Sequence, residues 1–382
     1  MTEQPASPIT PSHLITIKTP INTTNPENYD QQLAEKCQYI NTLMAALSPP
    51  KIEVFDSPLE YYRMRAEFKM WQQDETVSYA MFQPGTSKKP FIIDVFPVAS
   101  KYINQLMPKL LKRLNQSDLL RKRLFQTEFL ATLSGEILIT LIYHKPLNED
   151  WVREAENLKK ELKVDIVGRS RKQKHTLGKN YVTEKLNVSG NIFYYQQVEA
   201  SFTQPNAVVS EKMLTWAVDC VKPLTGDLLE LYCGNGNFTI PLSHQFRRIL
   251  ATEISKTSVH SAKYNMTLNN IDNIQIARMS SEEFSQAMDK KRSFRRLKDI
   301  DLDGYEFSTI LIDPPRAGLD HHTIEIVQRF ENILYISCNP ETLKRDLEVI
   351  NQTHKIERFA LFDQFPYTHH IESGVMLTSA HP

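Results

Sequence analysis

The fold of this chain is decided by the stretch Leu229–Phe238, which reads LELYCGNGNF. An apolar strand runs directly into a turn that contains Gly234 and Gly236. Glycine lets a backbone turn tightly and approach a ligand closely. A dinucleotide-binding loop would need a third glycine at position 239, which holds Thr239. The loop therefore predicts a small-molecule site at the end of a strand, and it argues against a nicotinamide cofactor.

Short apolar runs around this loop alternate with helical or loop stretches. The runs are Leu228–Tyr232, Ile249–Thr252, Ile274–Arg278, Thr309–Ile312 and Ile333–Ile336. This alternation predicts an α/β domain whose parallel sheet is covered by helices on both faces. In such sheets, ligands lie beyond the carboxyl ends of the strands. Two further strands, predicted at Lys355–Phe362 and Gly374–Leu377, are expected to pair at a sheet edge.

The glycine loop resembles the first motif of class I methyltransferases, whose ligand is S-adenosylmethionine. The strand that follows the loop ends in Glu253, which lies 17 residues beyond Gly236. An acidic residue at about this spacing accepts hydrogen bonds from ribose hydroxyls. Together the loop and Glu253 favour a nucleoside-containing cofactor.

The first half of the chain mixes helices and strands without strict alternation, which is typical of an α+β region. Helices are predicted at Asn25–Leu47, Ser100–Leu114 and Asp150–Leu162, the last with Asp150 as its N-cap. Strands are predicted at Tyr62–Trp71, Ser78–Phe82, Phe91–Phe96, Phe125–Leu133, Glu136–Tyr143, Val164–Val167 and Asn191–Gln197. We expect three parts: a flexible tail over 1–24, an α+β region over 25–197 and the α/β domain over 198–382.

The composition is that of an ordinary globular protein, because hydrophobic residues make up 41% and charged residues 24% of 382. The four cysteines are widely spaced, so neither a metal site nor an iron–sulfur cluster is expected. There is no signal peptide pattern and no apolar run of the ~18 residues that a membrane span needs. These features predict a cytoplasmic protein without a membrane partner.

The zero net charge conceals a strong asymmetry along the chain. Residues 101–200 carry a net charge of +7, whereas residues 301–382 carry −7. Because a polyanion responds to the local field rather than to the total charge, a phosphate-binding face is compatible with this sequence.

A cysteine lies where a nucleophile would be placed. The fourth strand of the predicted sheet ends in Asp313 and the fifth in Cys338, so both are expected at the same edge of the sheet. Cys37 and Cys220 lie on apolar helix faces, and Cys233 is expected to pack under the glycine loop. Cys338 lies among polar residues, and a cysteine with a lowered pKa in such a place is a nucleophile.

A thiol beside S-adenosylmethionine suggests one reaction. Carbon 5 of uracil is too electron-poor to attack a methyl group, but addition of a thiolate to carbon 6 makes it nucleophilic. A base must afterwards remove the proton from carbon 5 so that the thiolate can leave. Glu372, at the start of the last strand, is the candidate base.

Five motifs together resemble the RNA uracil-5-methyltransferase family. They are Phe202–Asn206, Leu229–Phe238, Asp313–Arg316, Ser337–Leu343 and Asp363–Glu372. The segments Tyr62–Phe68 and Tyr102–Met107 extend the resemblance over nearly the whole chain, and only residues 1–24 fall outside it. The resemblance implies a class I, Rossmann-like S-adenosylmethionine domain preceded by an RNA-recognition domain.

The resemblance also implies a role for individual residues. Cys338 matches the nucleophile of the family and Glu372 its base. The residues that match its S-adenosylmethionine contacts are Gln204, Tyr232, Asn237, Glu253 and Asp313. The roles of Gln204, Tyr232 and Asn237 rest on the resemblance alone.

Absent features favour the tRNA branch of the family. Ribosomal-RNA relatives carry an N-terminal barrel and four cluster-binding cysteines, whereas the N-terminal half here has only Cys37. The resemblance implies methylation of uridine 54 in the T-loop of tRNA, with the T-loop-like uridine of tmRNA as a second substrate and no obligate protein partner. Three alternatives stay open: a ribosomal-RNA enzyme, a cytosine-5 methyltransferase, which is less favoured, and a tRNA-folding chaperone for which catalysis is secondary.

Three basic clusters are candidates for phosphate contacts. They are Arg121–Arg123, Arg169–Lys174 and Lys290–Arg296. The candidate RNA contacts are Arg121, Arg123, Phe125 and Lys69. Phe125 corresponds to a family aromatic residue that stacks in the loop of the RNA. Lys69 replaces the expected arginine and cannot make the bidentate contact of a guanidinium.

Overall fold

The computed structural model describes residues 24–82 and 90–380, so the tail predicted over 1–24 lies almost wholly outside the described residues. The helices are α1 Tyr29–Met44, α2 Lys101–Asn115, α3 Asp118–Arg121, α4 Glu149–Leu162, α5 Ala207–Val221, α6 Thr239–Leu242, α7 Lys256–Leu268, α8 Ser281–Met288, α9 His321–Val327 and α10 Pro340–Ile350. Across these two ranges, no helix has the length and apolar character needed to cross a bilayer.

The strands of the first half are β1 Glu53–Phe55, β2 Arg65–Gln73, β3 Thr76–Phe82, β4 Pro90–Ile92, β5 Leu124–Ala131, β6 Ile137–Tyr143, β7 Asp165–Ser170, β8 Gln173–Leu177, β9 Tyr181–Val188 and β10 Asn191–Val198. Those of the second half are β11 Asp227–Leu231, β12 Ile249–Thr252, β13 Ile274–Ala277, β14 Phe307–Ile312, β15 Asn332–Ser337, β16 His354–Phe362 and β17 Glu372–Ser379.

An eight-stranded sheet carries the second half of the chain, in the order β1-β16-β17-β15-β14-β11-β12-β13. The five predicted apolar strands β11–β15 all run parallel. The order reverses between β11 and β14, and ligands bind at such a switch point. The predicted doubly wound, Rossmann-like fold class is confirmed.

The last two strands pair with each other as predicted, but not at the edge of the sheet. β17 is antiparallel to both β15 and β16, and β1 pairs beyond β16 in parallel. The position of β17 is decisive for the site, because it brings the C-terminal segment alongside the strand that precedes Cys338.

The first half of the chain forms a seven-stranded sheet, ordered β4-β3-β2-β5-β6-β7-β8, and a separate β9–β10 ribbon. The predicted apolar face of α2 is fully or almost fully buried against this sheet at Ile103, Leu106, Leu110 and Leu114. The sheet contains both antiparallel and parallel strand pairs, and its helices do not alternate regularly with its strands. The predicted α+β character is confirmed.

One part of the predicted N-terminal region packs elsewhere. Tyr39, Ile40 and Met44 of α1 join the hydrophobic core on one face of the eight-stranded sheet, and β1 extends that sheet. Helical periodicity identifies α1, but it does not show which sheet covers its apolar side. The region predicted over 25–197 therefore contributes a helix and a strand to the C-terminal sheet.

Several local predictions are wrong. The N-cap of α4 is Asn148, whose side chain accepts from the Trp151 amide, and not Asp150. The strand predicted at Phe91–Phe96 ends at Ile92, and β1, β8 and β9 were not predicted. β8 has one buried residue, Leu177, so its pattern lacks the apolar signal on which strand prediction depends.

Candidate active site

The glycine loop after β11 has an unusual backbone. Tyr232, Gly234 and Gly236 have φ angles of 63°, 58° and 84°. A Cβ built on Gly234 would meet no protein atom within 4 Å, so a side chain there would project into open space. The left-handed conformation of Tyr232 is uncommon for a bulky residue, and such strain is found mostly at functional sites. The Tyr232 hydroxyl lies 2.7 Å from Ser281 Oγ, which fixes the ring.

Glu253 closes this loop from the end of β12. One carboxylate oxygen accepts from the Gly234 amide at 3.0 Å and the other from the Ser255 amide at 2.6 Å. These bonds hold the half-buried side chain at the mouth of the sheet with free lone pairs. A carboxylate with free lone pairs can accept from the vicinal hydroxyls of a ribose.

Unpartnered polar atoms surround the same space. Among the described residues, Asn237 Nδ2 and Ser210 Oγ are buried without a hydrogen-bond partner and line the cavity. Native proteins leave few buried polar groups unpaired. A ligand with its own donors and acceptors would satisfy them. Together with the open space at Gly234, they fit a polar nucleoside cofactor such as S-adenosylmethionine.

The opposite end of the site is built by β15 and β17. These strands are antiparallel, and Ser337 pairs with Ser373. Cys338 directly follows Ser337 and Glu372 directly precedes Ser373, so the antiparallel register places them opposite each other. Glu372 is buried, with 3% of its side chain exposed, and Cys338 is half-buried. Asp313 follows β14, the parallel neighbour of β15, so all three residues face one point.

Burial away from water is the largest cause of the pKa shifts of Cys338, Glu372 and Asp313. Burial, reinforced by Glu372 and Asp313, raises the pKa of the Cys338 thiol to about 11. Burial also raises the pKa of Glu372 well above its usual range, with a further contribution from Asp313, and it raises the pKa of Asp313 to about 7. Burial therefore favours the neutral forms of these three groups in the ligand-free site, and the thiol is protonated at pH 7.

One cavity of about 670 Å³ joins the two ends. All seven residues predicted for cofactor binding and catalysis line it: Gln204, Tyr232, Asn237, Glu253, Asp313, Cys338 and Glu372. Residues from six separate segments of the chain thus meet at the carboxyl ends of β11, β12, β14 and β15.

The cavity also contains residues for which the sequence analysis assigned no role. Arg316 Nη2 donates to His370 Nδ1 at 2.6 Å. Burial and the neighbouring cations lower the pKa of His370 to about 4, so the ring is neutral. Glu230 is buried beneath the loop, where loss of water raises its pKa to about 8. In the sequence, the only indication that these three residues line the site is that each lies within one of the quoted motifs.

The candidate RNA contacts do not line the cavity: Lys69 and Phe125 lie on the paired strands β2 and β5, Arg121 ends α3 and Arg123 precedes β5. The Phe125 ring stacks on His144 with centroids 4.1 Å apart, and Lys69 Nζ lies 4.0 Å from the centroid of Phe125. Phe125 is 37% exposed and Arg123 is also exposed. Arg121 differs, because its guanidinium binds Asp118 and the Asn115 carbonyl.

The three basic clusters differ in how much of their charge is free. In the third cluster Lys290, Lys291 and Arg296 each pair with a carboxylate. In the second, Arg169 and Lys174 both bind the buried Glu199. Neutralised cations attract phosphate weakly, so much of the positive charge counted in the sequence is already compensated within the fold.

The strand order, the glycine loop and Glu253 define the class of the protein as a Rossmann-like methyltransferase fold. The family described as tRNA (Uracil-5-)-methyltransferase matches residues 28–380. The chain belongs to this family.

Two curated relatives are similar over almost their full length. The tRNA/tmRNA (uracil-C(5))-methyltransferase of Vibrio parahaemolyticus is 54% identical over 92% of this chain and 97% of its own. The protein of the same name from Saccharophagus degradans is 57% identical over 94% of this chain and 99% of its own.

A solved structure supports the fold. The tRNA (uracil-54, C5)-methyltransferase of Pyrococcus abyssi, in complex with S-adenosyl-L-homocysteine, superimposes with a TM-score of 0.72. It covers 92% of this chain and 84% of its own, at 21% sequence identity.

Proposed function

We propose that this protein transfers a methyl group from S-adenosylmethionine to carbon 5 of uridine 54 in the T-loop of tRNA. The T-loop-like uridine of tmRNA is its second substrate. The proposal is supported by the family and by the names of the curated relatives, which include both RNAs. The observation that carries it is the register of β15 and β17, which sets Cys338 opposite Glu372 at the cavity of the glycine loop.

The cofactor end of the cavity is assigned to five residues. Glu253, held by the amides of Gly234 and Ser255, accepts from the ribose hydroxyls. Asn237 contributes its unpartnered amide nitrogen, while Gln204, Tyr232 and Asp313 line the remaining wall. When bound, S-adenosylmethionine supplies an electrophilic methyl group.

Cys338 is the nucleophile in this proposal. Its thiol releases its proton to solvent, and Sγ forms a bond to carbon 6 of uracil while the electron pair of the 5,6 double bond moves onto carbon 5 and the 4-oxo group. Carbon 5 thereby becomes nucleophilic. Because burial raises the pKa of Cys338 to about 11, the thiolate has to be generated in the complex rather than stored in the free enzyme.

Glu372 is the base that completes the reaction. Its carboxyl group, protonated in the ligand-free site, has to lose that proton in the complex. After methylation, the carboxylate accepts the proton of carbon 5, the double bond re-forms and Sγ leaves as thiolate. A carboxyl group whose pKa burial has raised is a stronger base than an exposed one. The departing thiolate takes a proton back from solvent, so one proton in total is released for each methyl group transferred.

The RNA is held by the N-terminal region. We assign residues 25–197 to RNA recognition and 198–382 to methyl transfer, with α1 and β1 attached to the C-terminal sheet. Phe125, supported by His144 and Lys69, offers an aromatic surface on which a splayed base can stack. Arg121 and Arg123 complete the assigned contacts. The reaction takes place in the cytoplasm, where its RNA substrates are found.

Covalent trapping tests the proposal. A T-arm hairpin with 5-fluorouridine at the target position should form a stable adduct with the wild-type enzyme and S-adenosylmethionine, because fluorine cannot leave as a proton. Cys338→Ala and Cys338→Ser should form none on a denaturing gel, while still binding S-adenosylhomocysteine. A ribosomal-RNA hairpin is the matched control. An adduct that persists in Cys338→Ser would overturn the assignment.

A further inference from the structure

The Gln364 side chain lies between two segments of the cavity wall, is almost completely buried and has no assigned role. Its Oε1 accepts from the Asn206 amide at 2.9 Å, and its Nε2 lies 3.3 Å from Gln204 Oε1. The same nitrogen faces Met213 Sδ at 3.3 Å. Both ends of the Gln364 carboxamide therefore have partners.

The contact with Asn206 fixes the direction of these hydrogen bonds. A backbone N–H can only donate, so the atom of Gln364 that faces Asn206 has to be its oxygen. The atom that faces Gln204 is then the NH₂ group, which also only donates. Gln204 must present its own oxygen to Gln364, and its NH₂ group is left to point away.

The hydrogen bonds that run from the Asn206 amide through Gln364 to Gln204 are called the relay. The residue at its start, Asn206, is held rigidly. Asn206 is fully buried and caps α5, where its Oδ1 accepts from the Val209 amide at 3.2 Å. Its Nδ2 donates to Ser57 Oγ at 2.7 Å. The backbone amide that sets the orientation of Gln364 is thus held by a helix N-terminus and by a segment more than 140 residues away in sequence.

The Gln204 NH₂ group has no protein partner among the residues that the structure describes, and Gln204 lines the cavity. We infer that Gln364 is a positioning residue that holds Gln204 as a hydrogen-bond donor, so that the cavity selects an acceptor oxygen at this point. The inference rests on the proposed function. Two such oxygens are available: the 4-oxo group of the target uracil, which cytosine lacks, and the carboxylate of the cofactor.

Gln364→Glu should reverse the orientation of the Gln204 carboxamide with little change in side-chain volume. The Asn206 amide still donates to the new side chain, and once its carboxyl group is ionised the other oxygen can only accept, so Gln204 must turn its NH₂ group inward. Because burial raises carboxyl pKa values at this cavity, the variant is measured at pH 9, where ionisation is favoured. Its own oxygen then faces the cavity. Replacing a donor by an acceptor opposite a polar oxygen should weaken binding about 10- to 100-fold.

Two measurements identify the acceptor. Titration of S-adenosylhomocysteine into Gln364→Glu by calorimetry should show this loss if the oxygen belongs to the cofactor. The rate of adduct formation with the 5-fluorouridine hairpin, at saturating S-adenosylmethionine, should fall instead if the oxygen belongs to the base. If neither quantity changes in a variant with a wild-type melting temperature, the inference is wrong.

A double-mutant cycle separates the relay from general structural support. Because Gln364 acts only through Gln204, Gln364→Glu should cause no further loss in a Gln204→Ala background, and additive losses would refute the inference. Gln204→Glu puts an acceptor on the cavity side without changing the buried site, and it should reproduce the loss if Gln364→Glu does not fold. A wild-type enzyme that neither binds S-adenosylhomocysteine nor forms the adduct contradicts the proposed function itself.

Discussion

The two ends of the cavity are assembled in different ways. At the cofactor end the glycine loop is built locally, because the contact between Gly234 and Glu253 spans only 19 residues within one strand–helix–strand unit. The catalytic end is joined by contacts between distant segments. Lys36 of α1 binds Asp363, in the segment that leads into Glu372, across 327 residues.

This difference shows what holds each end in place. Glu253 is fixed by backbone amides, which any sequence that forms the loop provides. The segment 363–371, which leads into Glu372, is fixed by side chains. Lys36 Nζ binds both Asp363 Oδ1 at 2.6 Å and the Phe365 carbonyl at 2.9 Å. The catalytic end should therefore respond to substitutions far from the reacting atoms, whereas the glycine loop and Glu253 should not.

The largest effect is expected from Glu372→Gln, which leaves the cofactor end intact. An amide cannot accept the carbon 5 proton, so multiple-turnover methylation should fall by about 10²- to 10⁴-fold. Methyl transfer itself should still take place once, and a protein–RNA covalent species should accumulate on a denaturing gel.

The double variant Cys338→Ala/Glu372→Gln is the control for this species, since it has no sulfur to form the bond. Rapid release of methylated RNA by Glu372→Gln would show that another group removes the proton.

Lys36→Met tests the remote support of the catalytic end. Both partners of the Lys36–Asp363 pair are fully buried, so removal of the ammonium leaves an uncompensated carboxylate. We expect a loss of about 3–5 kcal/mol in the free energy of unfolding, measured by urea denaturation. Lys36→Met/Asp363→Asn removes both charges and should recover most of the loss. An undiminished stability of Lys36→Met would mean that the pair does not hold the segment.

The same contrast explains how far the sequence could be interpreted. The alternation of apolar runs predicted the parallel sheet, and two glycines followed by Glu253 predicted the cofactor end, because both signals are local. The quoted motifs also contained Cys338 and Glu372. That α1 would pack on the eight-stranded sheet, or that its Lys36 would be fully buried, had no local signal.

The sequence also did not indicate which charged residues form ion pairs with each other. The count of basic residues in Lys290–Arg296 suggested a phosphate contact, yet the fold pairs Lys290, Lys291 and Arg296 with carboxylates. Likewise, which end of the Gln204 carboxamide faces Gln364 depends on the Asn206 amide, which fixes the orientation of Gln364. Charge and hydrogen-bond direction are decided by tertiary neighbours, which spacing along the chain does not specify.

The pH dependence of Cys338 alkylation tests the electrostatics of the catalytic end. A thiol with a pKa of about 11 is almost wholly protonated at pH 7, so its thiolate fraction rises tenfold with each pH unit below that value. Iodoacetamide labelling of the ligand-free enzyme, followed by peptide mass spectrometry, should accelerate about 100-fold between pH 7 and pH 9. A rate that is constant over this range would indicate a stored thiolate.

The smallest effect is expected at the cofactor end, from Glu253→Gln. A glutamine has one acceptor oxygen, so it cannot accept from both the Gly234 and the Ser255 amides, and it also loses the charge that strengthens a bond to a ribose hydroxyl. We expect the Kd for S-adenosylhomocysteine to rise about tenfold in calorimetry, with stability close to that of the control Glu331→Gln, which alters an exposed residue. Because the loop is held locally, the rate of adduct formation at saturating S-adenosylmethionine should stay at the wild-type value. A fall in that rate would show that the two ends are coupled, and the separation drawn between them would not hold.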